Sequence, residues 1–245
     1  MRDFKGRRYW LVGASEGLGL ALAKTMSARG AELVLSGRDA GRLEVAVTAM
    51  VGPATGLVVD VASGASVRAA AAGLGDIDGM VFLAGVYWPL AAQDWNTEKV
   101  EAMCDTNFTG CARVIGAVLP GMLARGRGHV VITGSLSGFR GLPGAIGYSA
   151  SKAGVMALAE SLHADLRGSG ITVQIGNPGF IKTRLTAKNQ FSMPFLMQPE
   201  DAAAEMMALM DSKRFKRSFP RVFAWLFRGG QFLPDWAYYR LFARR

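Results

Sequence analysis

Short apolar runs alternate with helical patterns along almost the whole chain, and this alternation restricts the fold more than any other property of the sequence. Candidate strands are Tyr9–Val12, Glu32–Leu35, Gly56–Val59, Gly79–Leu83, His129–Thr133 and Ile171–Gly176, and helical stretches begin near Gly17, Ala40, Gly64, Thr97, Tyr148 and Pro199. Continuous apolar strands separated by helices predict a parallel sheet covered on both faces. The expected fold class is therefore α/β, a doubly wound parallel sheet in a single domain. A chain of 245 residues can bury a sound core of this kind without disulfides.

Cysteine and histidine usage argues against a metal centre. Cys104 and Cys111 are the only cysteines and stand one heptad apart on one helical segment, a spacing that suits buried thiols. His129 and His163 are too few to complete a ligand set. The segment Met1–Lys5 is charged and runs straight into the first strand, with no apolar signal core, and no uncharged apolar run of membrane-spanning length follows. A cytoplasmic body is expected.

Two motifs carry chemistry. Gly13-Ala14-Ser15-Glu16-Gly17-Leu18-Gly19 follows the first apolar run and opens a helix. Backbone N–H groups at such a turn, with the helix dipole behind them, suit a pyrophosphate. Tyr148-Ser149-Ala150-Ser151-Lys152 sets a phenol and an ammonium four residues apart, hence on one helix face. Neither motif is specific alone. In order along the chain come Asp60 after a strand, Ala84-Gly85 after another, Asn107 mid-helix, Ser135 at a strand end, and Asn177-Pro178-Gly179 at one more. Together these residues, from about Lys5 to Ser212, resemble the short-chain dehydrogenase/reductase family in its short branch, of about this chain's length.

That resemblance implies a Rossmann-type sheet and an NAD(P)(H)-dependent oxidoreductase. Gly13, Ser15, Glu16, Gly17, Leu18 and Gly19 would form the phosphate turn, where glycine permits tight turning and close backbone approach. Past the second strand, Ser36-Gly37-Arg38 offers no acid to the ribose hydroxyls, whereas the planar fork of Arg38 can pair with a 2′-phosphate. NADP(H) is thus favoured, with NAD(H) kept open. Asp39 speaks the other way, and a solvated loop charge is the competing account of Arg38. In the family, the residue matching Asp60 contacts the adenine amine and that matching Val61 lines the ring pocket. Ala84 and Gly85 match the end of a segment passing close to the cofactor, although Phe82 and Leu83 replace the family's two asparagines. Pro178, Gly179, Ile181 and Thr183 match the segment covering the nicotinamide.

Hydride transfer to a carbonyl leaves an alkoxide that must be protonated as it forms. Tyr148 is placed to be that acid, or the base in the oxidative direction. A free phenol titrates near ~10, and the Lys152 charge one turn along is expected to lower that value. By resemblance Lys152 also holds the nicotinamide ribose hydroxyls, so Tyr148 and Lys152 count among both catalytic and cofactor residues. Ser135, 13 residues before Tyr148, matches the serine that polarises the substrate carbonyl, while Ser137 is displaced by two. Asn107 matches the fourth member, which holds a water linking the lysine to solvent; a local helix irregularity is the other account. His163 lies about four turns beyond Tyr148 and is expected to serve packing or an interface.

The substrate is less legible. The stretch from Leu185 to Gln198 is expected to fold over the pocket, and its Phe191, Met193, Phe195, Leu196 and Met197 suggest an apolar ketone, aldehyde or alcohol, or else the loop's own core. An idle cofactor-sensing protein and an epimerase or dehydratase of longer relatives compete with the reductase. The intact Ser135, Tyr148, Lys152 and Asn107 oppose the first. The short span after Ser212 opposes the second.

Composition shifts near Lys213. The last 33 residues hold nine Lys/Arg against one acid, Asp235, so they carry +8 of the chain's formal +9, together with ten aromatics. Residues 1–219 are expected to form the dinucleotide-binding and catalytic domain, and 220–245 a basic aromatic extension of it. Arg214–Phe219 suggests a charged edge strand. Pro220 then opens a short helix to Phe227 broken at Gly229-Gly230, and Pro234-Asp235 begins a last helix with Arg240, Arg244 and Arg245 late. Packing over the cleft, an interface in a homo-oligomer, and peripheral membrane contact all suit such a segment. Nucleic acid suits it less, because the aromatics and aliphatics favour burial over a phosphate track.

Overall fold

The computed structural model describes residues 1–189 and 191–242. Seven strands, β1 (Arg8–Val12), β2 (Glu32–Gly37), β3 (Ala54–Val58), β4 (Gly79–Phe82), β5 (Gly128–Thr133), β6 (Ile171–Pro178) and β7 (Lys216–Phe219), form one sheet in the order β3-β2-β1-β4-β5-β6-β7. Every pairing is parallel. The order reverses between β1 and β4, which opens a crevice at the carboxyl ends of those strands.

Alternation along each strand divides the core between two faces. Trp10, Val12, Met80, Phe82, Val130 and Ile132 point to one side. There they meet α3 (Gly64–Ala72), α5 (Gly110–Arg125) and α6 (Ile146–Asp165). Tyr9, Leu11, Val81 and Val131 point to the other, against α1 (Gly17–Ala28), α2 (Ala40–Thr48) and α7 (Pro199–Met210). Because both faces are covered, the central strands are apolar at consecutive positions, which is why they stand out in the sequence.

One helical run, α4 (Thr97–Cys104) followed by α5, is interrupted by a π-helical stretch at Asp105–Thr109. By length and composition Thr97–Arg125 is apolar enough to cross a membrane, but Cys111, Val114, Ile115, Val118 and Met122 are buried in the core. A buried polar ladder crosses the sheet nearer its other end. Gln174 donates through Nε2 to the carbonyls of Leu209, Ser212 and Arg214, so its Oε1 accepts from His129 Nε2 at 2.8 Å. His129 Nδ1 then accepts from the Tyr9 hydroxyl at 2.9 Å. Burial holds His129 down at about pKa 3, neutral in the native protein, and pushes Tyr9 up to about 12. His163 stacks on Phe215 at 4.2 Å, the packing role expected of it.

The extension folds back onto the domain. β7 pairs with β6 at the sheet edge, as its charged sequence suggests. α8 (Arg221–Gly230) buries Phe223 and Ala224 against Leu136, and α9 (Asp235–Phe242) buries Tyr238. Gly229-Gly230 does not break α8, contrary to expectation. Gly230 is buried, and its carbonyl accepts from Arg140 at 3.0 Å, so the helix end is held from outside. Arg140 also donates to the Leu233 carbonyl and Asp235, and stacks over the Tyr238 ring at 3.9 Å. The Tyr238 hydroxyl donates to the Gly141 carbonyl at 2.8 Å. Arg244 and Arg245 lie outside the described residues.

Candidate active site

A cleft of about 1180 Å³ lies along the carboxyl ends of the strands. Gly13, Ser15, Glu16, Gly17, Leu18, Gly19, Arg38, Val61, Ala84, Gly85, Tyr148, Lys152, Pro178, Gly179, Ile181 and Thr183 all line it. Asp60, Asn107 and Ser135 are not among the lining residues, but Asn107 bonds Val86 and Ser135 adjoins the Tyr148 hydroxyl, both of which are.

At the turn between β1 and α1, Gly13 adopts φ +92°, and a Cβ there would fall 2.4 Å from the Ala84 nitrogen. A Cβ on Gly19 would fall 2.1 Å from the Gly13 carbonyl oxygen. Glycine is required at both positions to bring β1, β4 and α1 so close. No side chain caps the first turn of α1, and no acid lies in it. Its orphan N–H groups and positive dipole end face the cleft, a donor set that fits a pyrophosphate.

The Arg38 side chain is exposed, lines the cleft, and makes no ion pair among the described residues. Asp39, the counter-indication in the sequence, is occupied elsewhere. Its carboxylate caps α2 by accepting from the Arg42 backbone N–H at 3.0 Å and pairs with Arg42 Nε at 3.3 Å. Arg42 also lines the cleft and lies 3.8 Å from Glu16. The sequence reading missed it, although a residue three beyond a helix cap is bound to lie beside that cap. Asp60 accepts from the Ala62 N–H at 3.0 Å and holds its own turn. Glu16 pairs across the cleft with Arg184 at 2.5 Å.

Tyr148 and Lys152 occupy one face of α6, as spaced. Lys152 is buried, and its ammonium donates to the Thr133 carbonyl at 2.8 Å, using one of three N–H bonds on protein. Burial lowers it to about pKa 8, so it remains largely charged at neutral pH. The two remaining donors fit ribose hydroxyls. Nearby, the buried Thr133 hydroxyl has no partner. Tyr148 departs from expectation. Burial pushes its phenol up to about 12, with Ser135 pulling it part of the way back. Lys152 Nζ lies 5.8 Å from the Tyr148 ring centroid, and desolvation of the phenol sets the direction of the shift.

Ser135 caps a short 3-10 turn at Leu136–Gly138, and its hydroxyl is shared with that of Ser137 at 2.8 Å. Ser137 thus acts as its partner. Asn107 is fully buried within the π-helical stretch, so the irregularity read as one alternative is real. Its amide also has a use: Oδ1 accepts from the Val86 N–H at 2.8 Å, and Nδ2 donates to the Val86 carbonyl and the Ser151 hydroxyl, each at 3.0 Å.

The apolar wall differs from the one expected. Among the described residues lining the cleft, none is Phe191, Met193, Phe195, Leu196 or Met197. Phe191 and Phe195 turn to Phe180 and Phe223 and remain about half exposed, so they cover the extension instead of the cleft. Val86, Tyr87, Trp88 and Leu185 form the wall. The Tyr87 ring meets Tyr148 edge to face at 5.0 Å, and Lys188 donates to the Tyr87 carbonyl at 2.9 Å over the ring of Trp88. Their position just after Ala84-Gly85, at a strand's carboxyl end, was the available signal.

These features define an α/β oxidoreductase with a dinucleotide cleft. The short chain dehydrogenase family profile matches residues 9–193, and the chain belongs to that family. An uncharacterized oxidoreductase of Myxococcus xanthus is 39% identical over 245 aligned residues, covering 96% of each chain. A 3-oxoacyl-acyl-carrier-protein reductase of Escherichia coli is 29% identical, covering 75% of this chain and 77% of its own. A short-chain dehydrogenase of Streptomyces avermitilis superposes with a TM-score of 0.84 at 25% identity over 92% of each chain. One from Sphingobium yanoikuyae, solved with NADPH, gives 0.81 at 25% identity over 88% of each.

Proposed function

We propose that this oxidoreductase reduces an apolar ketone or aldehyde with NADPH. The observation that carries the reading is the placement of Tyr148 and Lys152 together in the cleft lining, on one face of α6. Hydride transfer to a carbonyl leaves an alkoxide, a stronger base than a phenolate, and the Tyr148 hydroxyl is placed to protonate it. When bound, the nicotinamide supplies the hydride. Lys152 would hold its ribose, the orphan N–H groups of α1 its pyrophosphate, and Arg38 with Arg42 the 2′-phosphate.

The Ser135 hydroxyl orients the carbonyl oxygen toward Tyr148, and the phenolic proton passes to that oxygen as charge develops on it. Asn107 keeps the strand end at Val86 in place, and with it the Tyr87–Trp88 wall. That wall supports an apolar substrate. The test is a panel of ketones and aldehydes incubated with the purified protein, following NADPH consumption. Turnover with at least one apolar carbonyl is expected. Tight NADPH binding with no consumption across the panel would favour an idle sensor instead.

A further inference from the structure

The helices α8 and α9 carry two apolar faces, and the domain covers only one. Phe223 and Ala224 point inward, yet Val222, Trp225 and Leu226 stand on the opposite side of α8, with Trp225 70% exposed. On and before α9, Phe232 is 87% and Trp236 73% exposed, and Leu241 is exposed beside them. An apolar surface of this extent on a soluble domain marks an interaction site.

Charge identifies the partner. Arg221, Arg228 and Arg240 are exposed on the same two helices and have no carboxylate partner among the described residues. The only acid beyond residue 212, Asp235, is taken by Arg140. We propose that this face docks on an anionic lipid bilayer, with Trp225, Phe232 and Trp236 at headgroup depth and the arginines on lipid phosphates. A second copy of the chain suits the face less well. An isologous contact would bring the arginines of two copies into one interface with no free acid there to answer them. The proposal is independent of the substrate and of cofactor preference.

Flotation with vesicles of phosphatidylcholine alone, and of phosphatidylcholine with phosphatidylglycerol, tests it. The native protein is expected to float about tenfold more with the anionic vesicles at low salt and to be released by high salt. Trp225→Ser with Trp236→Ser should abolish flotation. Both side chains are largely exposed, so unchanged thermal unfolding and NADPH binding would show that the variant folds. Equal flotation of variant and native protein, or no flotation of the native protein, overturns the proposal. If the native protein fails to float and sediments as a dimer that the two substitutions dissociate, the face belongs to a second copy.

Discussion

The side chain of Asn107 bonds both backbone groups of Val86, much as a neighbouring strand would: Oδ1 takes the N–H at 2.8 Å and Nδ2 gives to the carbonyl at 3.0 Å. Asn107→Ala removes both bonds at once. Each backbone group left unpaired away from water costs about 1–3 kcal/mol, so the urea midpoint should fall clearly. NADPH affinity should fall with it, because Val86 follows directly on Ala84-Gly85. An unchanged midpoint would show that solvent repairs the site.

Tyr148→Phe keeps the ring and its contact with Tyr87 but removes the proton. General acid catalysis contributes about 10²–10⁴-fold, and turnover on an identified carbonyl should drop by that much. NADPH titration should give a dissociation constant close to the native one. Near-normal turnover would refute the assignment of the proton donor.

Arg38→Ala tests the cofactor preference. Losing a charge-assisted fork to a phosphate costs about 1.5–3 kcal/mol, or roughly ten- to a hundredfold in NADPH affinity, with NADH scarcely affected. Arg42→Ala should shift the same ratio by less, since its guanidinium already serves Asp39 and Glu16. Equal losses for both cofactors would mean that Arg38 supports the turn and not the phosphate.

Alkaline pH should silence the proposed reduction through Lys152. With its ammonium lowered to about pKa 8, the charge proposed to hold the ribose disappears above that value, while Tyr148 remains protonated. The profile of kcat/KM for reduction is therefore expected to be flat near neutrality and to fall beyond about pH 8. A limb appearing only near pH 10, where an ordinary lysine titrates, would contradict it.

Acid should weaken the fold through His129. Its native value of about 3 lies below the ordinary histidine value, so the unfolded chain takes up a proton that the native site refuses. The stabilisation is complete above about pH 6.5 and is lost as pH falls toward 3, at roughly 1.4 kcal/mol per unit for one proton. Urea midpoints between about pH 6 and 5, above the carboxylate range, should show this slope, and His129→Asn should flatten it. A parallel slope in the variant would place the sensitivity elsewhere.

Much of this molecule is readable from its residues, for definite reasons. Strands buried on both faces are continuously apolar, and Gly13 and Gly19 are dictated by backbone approach, so the sheet and its phosphate turn announce themselves. Helical spacing sets Tyr148 and Lys152 on one face, and their order with Ser135 and Asn107, as in the family, marks the pair out. What escaped depends on distance and direction. An acid just after a strand, such as Asp39, can face a ribose or cap the next helix, and only geometry separates the two. Phe191 and Phe195 are apolar wherever they point, and here Phe191 meets Phe180 and Phe195 meets Phe223 of α8. The rise in the Tyr148 value reflects how deeply the phenol is desolvated, which spacing along a helix does not encode.

Arg140 binds the Gly230 and Leu233 carbonyls, the Asp235 carboxylate and the Tyr238 ring from a position between Ser135 and Tyr148 in the chain. The last two helices are thus tied to the segment before α6 by one guanidinium, with the Tyr238 hydroxyl on the Gly141 carbonyl and the Leu136–Phe223 contact beside it. Local opening of one exposes the buried face of the other, so amide exchange in 136–145 and in 221–242 should proceed at a common rate, as one cooperative unit.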